Sequence, residues 1–332
     1  MANGPYTLLD LAARNGEDVH ALIEGVLTYA PELSIVPAFP RAGISYETLT
    51  RTELPSGDFA NVGAGVTPTK SAWKREVGSM AKFEAQMRIN EDIVAASIGQ
   101  NPELATGDIL TDEAMATLRG SAIRIGSQFW YGNKISAAGF AGLSTQVDVA
   151  NNEVNAGGSG SADSSSVYLV YMDDSAVNPQ GIHFLLGNNG KMSFNNTWLK
   201  QQYADPNDST KLMTGFVNNF LSYLGLVMPR PEALYRAKNV TVAAGFTDAV
   251  GAAVLQKVPL ALRADKSKFR WFMNSTALYT LQASRATVTV ATGNQKGVAS
   301  GGVFPDMPEF CQGIQIVPTD SLVSTERAGI HQ

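Results

Sequence analysis

Thr111 to Asn133 reads TDEAMATLRGSAIRIGSQFWYGN, and this stretch predicts the helix around which the chain is organised. Thr111 suits an N-cap, Asp112 and Glu113 place negative charge in the first turn, and Gly132-Asn133 supplies a left-handed stop. Met115, Leu118, Ala122, Ile125 and Phe129 recur at steps of three and four and make one apolar stripe, with Thr117, Arg119, Arg124 and Gln128 off it. Such a helix is a rod of roughly 30 Å at 1.5 Å per residue. Gly120 and Gly126 each weaken it by roughly 1 kcal/mol relative to Ala, so packing against a sheet has to hold it.

Upstream lies an alternation of unusual length. From Ser71 to Asn90, Trp73, Val77, Phe83, Met87 and Ile89 alternate with Lys74, Glu76, Lys82, Glu84 and Arg88, the period of a half-buried strand. From Trp73 to Asn90 this extends for roughly 60 Å at about 3.3 Å per residue, far beyond an ordinary strand of five or six residues. Ser45 to Leu54 is the matching run, and the Gly, Pro, Ala and Asn of Pro55 to Lys70 join the two into a long hairpin. A two-stranded ribbon is marginal in water by itself, so this one is expected to find a surface outside its own domain. The competing reading bends it at Gly78, or turns it helical after Met80, and packs it locally.

Tyr6 to Thr28 reads as one or two short helices broken near Asn15-Gly16. Pro31, Pro37 and Pro40 then predict an extended arm that lies on something else. After the central helix, Asn151 to Ser166 reads as a loop, Val167 to Tyr171 and Ile182 to Leu186 as buried strands, and Asn188-Asn189-Gly190 as a turn. Lys211 to Val227 is strand or helix by pattern. Arg236 to Ala243, Lys257 to Leu262, Phe269 to Met273, Thr287 to Ala291 and Gln312 to Val317 read as strands, with a helix over Ser275 to Arg285 capped by Asn274 or Ser275. The class is mixed α+β, with one long helix and sheets of mostly non-consecutive strands.

The chain has 332 residues, 44% of them apolar, enough for two domains with real cores. Its formal net charge of -5 argues against a protein that coats nucleic acid. The single cysteine, Cys311, excludes an intrachain disulfide and a thiolate pair for zinc. No apolar run reaches the 18 or so residues that span a bilayer, and Met1 to Asp10 lacks the basic start and apolar core of an export signal. The expected protein is neither membrane-bound nor exported that way.

Signals for catalysis are weak. His20, His183 and His331 form no ligand-spaced pair, and His183 falls in an apolar strand, where a core or interface histidine is expected. Asp173-Asp174 lacks the spaced oxygens and closing Glu of a calcium loop. Gly187 to Lys191 has two residues between its glycines where a phosphate loop needs four, and Met192 stands where that loop has Ser or Thr. Neither a dinucleotide fingerprint nor a Gly-x-Ser-x-Gly elbow occurs. The expectation is no catalytic residue, no cofactor and no metal. The residues singled out lie on the hairpin: Arg51, Glu53, Trp73, Lys74, Arg75, Glu76, Lys82 and Phe83, a mixture of both charges and aromatics that suits another protein chain better than a phosphate backbone.

Ser165 to Val170, then Gly181-Ile182-His183, then Gly187 to Met192, resembles the major capsid (coat) proteins of tailed bacteriophages. Gly225-Leu226-Val227 with Arg236 to Asn239, Phe272-Met273-Asn274, and Gly313 to Leu322 with Thr325-Glu326 continue that resemblance in order. Gln315 departs from it, standing where proline is common. The resemblance implies the Hong Kong 97-type coat fold: an N-terminal arm at residues 1–43, an extended hairpin at 44–91, a spine helix and the start of a peripheral domain at 92–150, and interlaced axial and peripheral domains at 151–332.

It also implies a shell subunit that forms pentamers and hexamers of an icosahedral lattice around double-stranded DNA, contacted non-specifically. A separate scaffolding protein, a portal, a possible decoration protein, a place in the virion and synthesis in the bacterial host cytoplasm come with it. The nearest alternative is an encapsulin-like nanocompartment shell of the same fold. The remote one is an α+β hydrolase in which Asp108 and Glu113 pair in a cleft.

Overall fold

The structure, a computed structural model, describes residues 30–100, 106–158, 163–173, 175, 180–190, 193–194, 198–205, 208, 210–288 and 307–326. The helices expected in Tyr6 to Thr28 lie outside the described residues.

The central helix runs from Thr106 to Tyr131, roughly 40 Å at 1.5 Å per residue. Its start lies a turn and more before the expected cap: Thr111 is inside the helix, its hydroxyl donating to the Gly107 carbonyl at 2.7 Å. Its end is where the sequence puts it. Gly132 has φ +56, and a Cβ there would collide with the backbone of Gly142, so only glycine fits the turn. Along the stripe, Met115 and Leu118 are half-buried while Ala122, Ile125 and Phe129 are buried. The last turns are buried more widely than a stripe. Gln128, expected on the solvent side, is covered by the following loop and donates to the Phe140 carbonyl at 2.8 Å.

Two sheets flank the end of this helix. The first has β1 (Ala38–Pro40), β7 (His183–Leu186), β10 (Leu212–Val227) and β4 (Ala81–Asn90) in that order, with β8 (Ser193–Phe194) and β9 (Leu199–Ala204) also on β10. The second runs β13 (Phe310–Cys311), β14 (Ile314–Pro318), β12 (Phe269–Met273), β6 (Ser165–Tyr171), β11 (Leu234–Val240), β5 (Glu153–Asn155). Adjacent residues of the helix join them. Phe129 packs on Phe184 of the first sheet, with ring centroids 5.2 Å apart, while Trp130 stacks on Tyr168 of the second at 5.0 Å and meets Phe272 at 5.2 Å. All five rings are essentially inaccessible and belong to one continuous core.

The long alternation is divided between two partners. β2 (Ser45–Glu53) and β3 (Ala72–Ser79) pair antiparallel as a ribbon from Ser45↔Ser79 to Glu53↔Ala72. Met80, buried, donates its N–H to the Ile44 carbonyl at 2.8 Å and closes the ribbon. The chain then enters β4, which pairs with β10 from Ala81↔Leu224 to Asn90↔Gly215. The run expected as one ribbon strand is therefore two strands in two sheets.

Other expectations are corrected locally. Pro31 to Pro40 packs into the core of its own subunit on one side: Pro31 opens a short helix at Glu32–Ile35, Leu33, Val36 and Ala38 are buried, and exposed Pro40 ends an edge strand that loses nothing by its missing N–H. Lys211 to Val227 resolves as strand β10. Buried Asn218 and Ser222 had blurred its alternation with Phe220, Leu224 and Leu226. Lys257 to Leu262 is not a strand: Lys257 ends the helix Asp248–Lys257, which Thr247 caps by accepting from the Val250 N–H, Val258 and Pro259 are an extended link, and Leu260–Arg263 is a second short helix. Asn151 to Ser166 holds β5, parallel to β11 with Glu153 beside Arg236. Asn274 caps the helix Ser275–Val288, its Oδ1 accepting from the Ala277 N–H at 3.0 Å. Thr287 and Val288, expected in a strand, continue that helix, and 289–291 lie outside the described residues.

Candidate assembly surfaces

The ribbon is fixed at one end only. At its base Tyr46 packs with Met80, Leu185, Val227, Phe39 and Tyr223. Beyond that, Trp73 is 53% exposed, and every residue from Glu53 to Lys70 is exposed. Within this connector Leu54, Phe59, Val62 and Val66 stand in solvent, Phe59 with no cover at all. Single apolar side chains on a surface are ordinary, but four at the end of one projection form a surface that water penalises.

The residues singled out from the sequence divide accordingly. Glu53 ends β2, exposed. Trp73 lies on β3, its Nε1–H donating to Ser71 Oγ at 3.1 Å. Arg75 on β3 pairs with Glu47 on β2, Nε to Oε1 at 2.6 Å, within the ribbon. Both groups are largely exposed, so that pair stabilises by at most about 1 kcal/mol. Arg51, Lys74 and Glu76 are placed along the ribbon by their backbone, and their side chains lie outside the described residues. Lys82 and Phe83 are on β4. Lys82 pairs with Glu84 at 2.5 Å, and Phe83 is half-buried against Phe220 with centroids 6.0 Å apart.

Two buried carboxyls, Glu32 and Glu326, tie distant stretches of the chain to the central helix, and no motif in the sequence marks either. Glu326 accepts from Tyr131 Oη at 3.0 Å and from Ser166 Oγ at 2.6 Å, with Arg236 Nη2 3.7 Å away. Burial raises its carboxyl above the ordinary range, against the pull of Ser166, Arg236 and Tyr131. Burial pulls the Arg236 guanidinium down, but Tyr168, Glu326 and Glu153 outweigh it and the net shift is upward.

Glu32 has no such cation among the described residues. It is fully buried, with Thr319 Oγ1 donating to its Oε2 at 2.9 Å, and burial drives its carboxyl up against the pull of that hydrogen bond, while its Oε1 has no hydrogen-bond partner among the described residues. Gly126 passes so close that a Cβ there would collide with the Glu32 carboxyl and Ser321 Oγ. A glutamate one residue after a proline, far from any basic residue, is the faint sequence signal.

The remaining candidates are structural. His183 is buried, burial lowers its pKa, and its ring meets Phe39 edge-on with Nδ1 2.9 Å from the Gly181 carbonyl oxygen. Asp173 is tied to Lys268 at 3.1 Å. The segment after Gly187 is a turn with Asn188, Asn189 and Gly190 all at positive φ. Cys311 is buried, its thiol pushed up to about 12 by burial. Glu113 is exposed on the central helix, and the Asp108 side chain lies outside the described residues. Among the described residues no group of His, Cys, Asp and Glu is arranged to hold a metal, and no helix is long and apolar enough to cross a membrane.

This arrangement of spine helix, two sheets and projecting ribbon is the Hong Kong 97-type coat fold of tailed-phage shells. The structure matches that of bacteriophage Epsilon15 with TM-score 0.54 and 13% identity, over 96% of each chain. The bacteriophage JBD30 capsid matches with TM-score 0.46 and 12% identity over 92% of this chain and 94% of that one. An encapsulin from Synechococcus elongatus PCC 7942 matches with TM-score 0.42 and 9% identity over 65% and 89%. No curated protein matches in sequence. The family described as "Major capsid protein GP7" matches residues 41–329, and the chain belongs to that family. It is a major capsid protein, a structural component of the tailed-phage virion that assembles in many copies.

Proposed function

We propose that each copy reaches over a neighbour with its ribbon, in rings of five and six that close an icosahedral shell around double-stranded DNA. The observation that carries this reading is the projection itself, whose exposed tip bears Leu54, Phe59, Val62 and Val66. A surface that only a neighbour can bury makes folding of the ribbon and growth of the lattice one thermodynamic event. Arg51, Glu53, Trp73, Lys74, Arg75 and Glu76 are then contacts on the ribbon, and Lys82 and Phe83 contacts on the sheet that receives one.

The division into arm, extended hairpin, spine and interlaced axial and peripheral domains follows the same reading. So do a scaffolding protein, a portal, a possible decoration protein, synthesis in the host cytoplasm and the lack of a catalytic role. Electron microscopy of purified particles tests the proposal: DNA-filled or empty icosahedral shells with density for each ribbon on the adjacent subunit are expected. Ribbons that fold back on their own subunit would contradict it.

A further inference from the structure

The ribbon needs a receiving surface, and one is built beside its base. Phe83, Ile125, Phe140 and Leu224 line an apolar cleft of about 100 Å³ between β4, the central helix and the loop after it, flanked by Lys82 and Arg124. Lys82 is paired with Glu84, whereas Arg124 donates from Nη2 to the Ile135 carbonyl at 2.8 Å and has no carboxylate partner among the described residues. The cleft is thus apolar within and carries one uncompensated positive charge at its side.

We propose that this cleft receives the Asp58-Phe59 tip of a second copy of the chain, with the Phe59 ring among the apolar side chains and Asp58 against Arg124. The inference rests on the shell reading above and names the surface that reading leaves open. Charge and shape agree: Phe59 is the fully uncovered aromatic of the tip, and Asp58, next to it, is the acid of the connector Pro55 to Lys70. The chain's own tip is not available. Base and tip sit at opposite ends of a ribbon whose paired strand of nine residues spans roughly 30 Å at about 3.3 Å each. The connector adds to that reach, which brings it near the diameter of a subunit of this size. A projection about one subunit long, with its receiving site at its own base, makes a head-to-tail contact that repeats around a ring and closes.

The test uses the chain's single, buried cysteine as a silent background. Phe59→Cys and Ala138→Cys, the latter at an exposed position of the cleft wall, are combined in the full-length protein, assembled in producing cells and oxidised. Disulfide-linked ladders of subunits in shells, at least tenfold above either single variant and absent from unassembled subunits, are expected. In parallel, Asp58→Arg is expected to lower shell yield at least tenfold, and Arg124→Asp to restore it in the double variant. Normal shells without the crosslink, together with normal yield from Asp58→Arg, would overturn the cleft assignment and leave the shell reading intact. Crosslinking of Phe59→Cys to a different protein in shells would also overturn it. Failure of the unaltered protein to form shells at all would instead defeat the shell reading.

Discussion

The end of the central helix and the end of the ribbon are opposite solutions to the same problem of apolar side chains in water. Phe129, Trp130 and Tyr131 are covered on all sides by their own chain, between two sheets and a C-terminal segment. Leu54, Phe59, Val62 and Val66 stand exposed among the described residues, Phe59 and Val62 fully so. The first region makes a subunit, and the second makes that subunit incomplete. Substitutions should therefore separate into two groups: those that damage the free subunit, and those that leave it intact and damage the lattice.

The largest effect is expected in the first region. Phe129→Ala removes a ring wedged against Phe184 and should cost about 3 to 5 kcal/mol of subunit stability, read by urea denaturation of unassembled protein. The two helix glycines sharpen the contrast within a single element. Gly126→Ala forces a methyl into the Glu32 carboxyl and Ser321 and should cost roughly 1 to 3 kcal/mol, while Gly120→Ala, which faces open space, should gain up to about 1 kcal/mol. Equal responses would mean that the helix end is not packed as described.

The buried Glu32 predicts a smaller, pH-dependent effect. Its native pKa is raised, so its contribution to stability is fully present below the ordinary glutamate range and is lost as the pH climbs through the raised native value. Glu326 shifts in the same direction and adds to that slope. Glu32→Gln should flatten the decline between acid and neutral pH in denaturation curves, and an unchanged slope would remove Glu32 as its source. The smallest effect on the subunit belongs to Trp73→Ala on the ribbon. It should alter subunit stability by no more than about 0.5 kcal/mol while impairing assembly, as the proposed contact of the ribbon with another copy requires.

The core region was readable from the sequence because one helix carries both its stripe and its left-handed stop at Gly132. What the stripe could not reveal was Gln128, whose burial depends on a later loop closing over it. Alternation identified strands but not their partners. The period of two resumes in the same phase on both sides of Gly78-Ser79-Met80, so the local break there signals a bend but not that the chain leaves the ribbon for β10. Lys257 to Leu262 looked like a strand because Val258-Pro259 is extended, while the caps that make its flanks helical lie outside the window. The apolar tip was hidden by its own composition: Phe59 and Val62 are isolated among Gly, Pro and Asn, and only their placement at the end of a projection gives them meaning. Glu32 and Glu326 lie at opposite ends of the chain, and their convergence on one helix is a property of the fold.

Oxidative footprinting of aromatic side chains in free subunits and in shells tests the central claim most directly, because Trp73, Phe59, Trp130 and Trp271 report both regions in one experiment. Trp130 and Trp271, which are fully buried, should be protected in both states. Phe59 and Trp73 should be modified readily in the free subunit and at least several-fold less in the shell. Equal modification of Phe59 and Trp73 in subunit and shell would contradict the account, since the ribbon would then be as bare after assembly as before it.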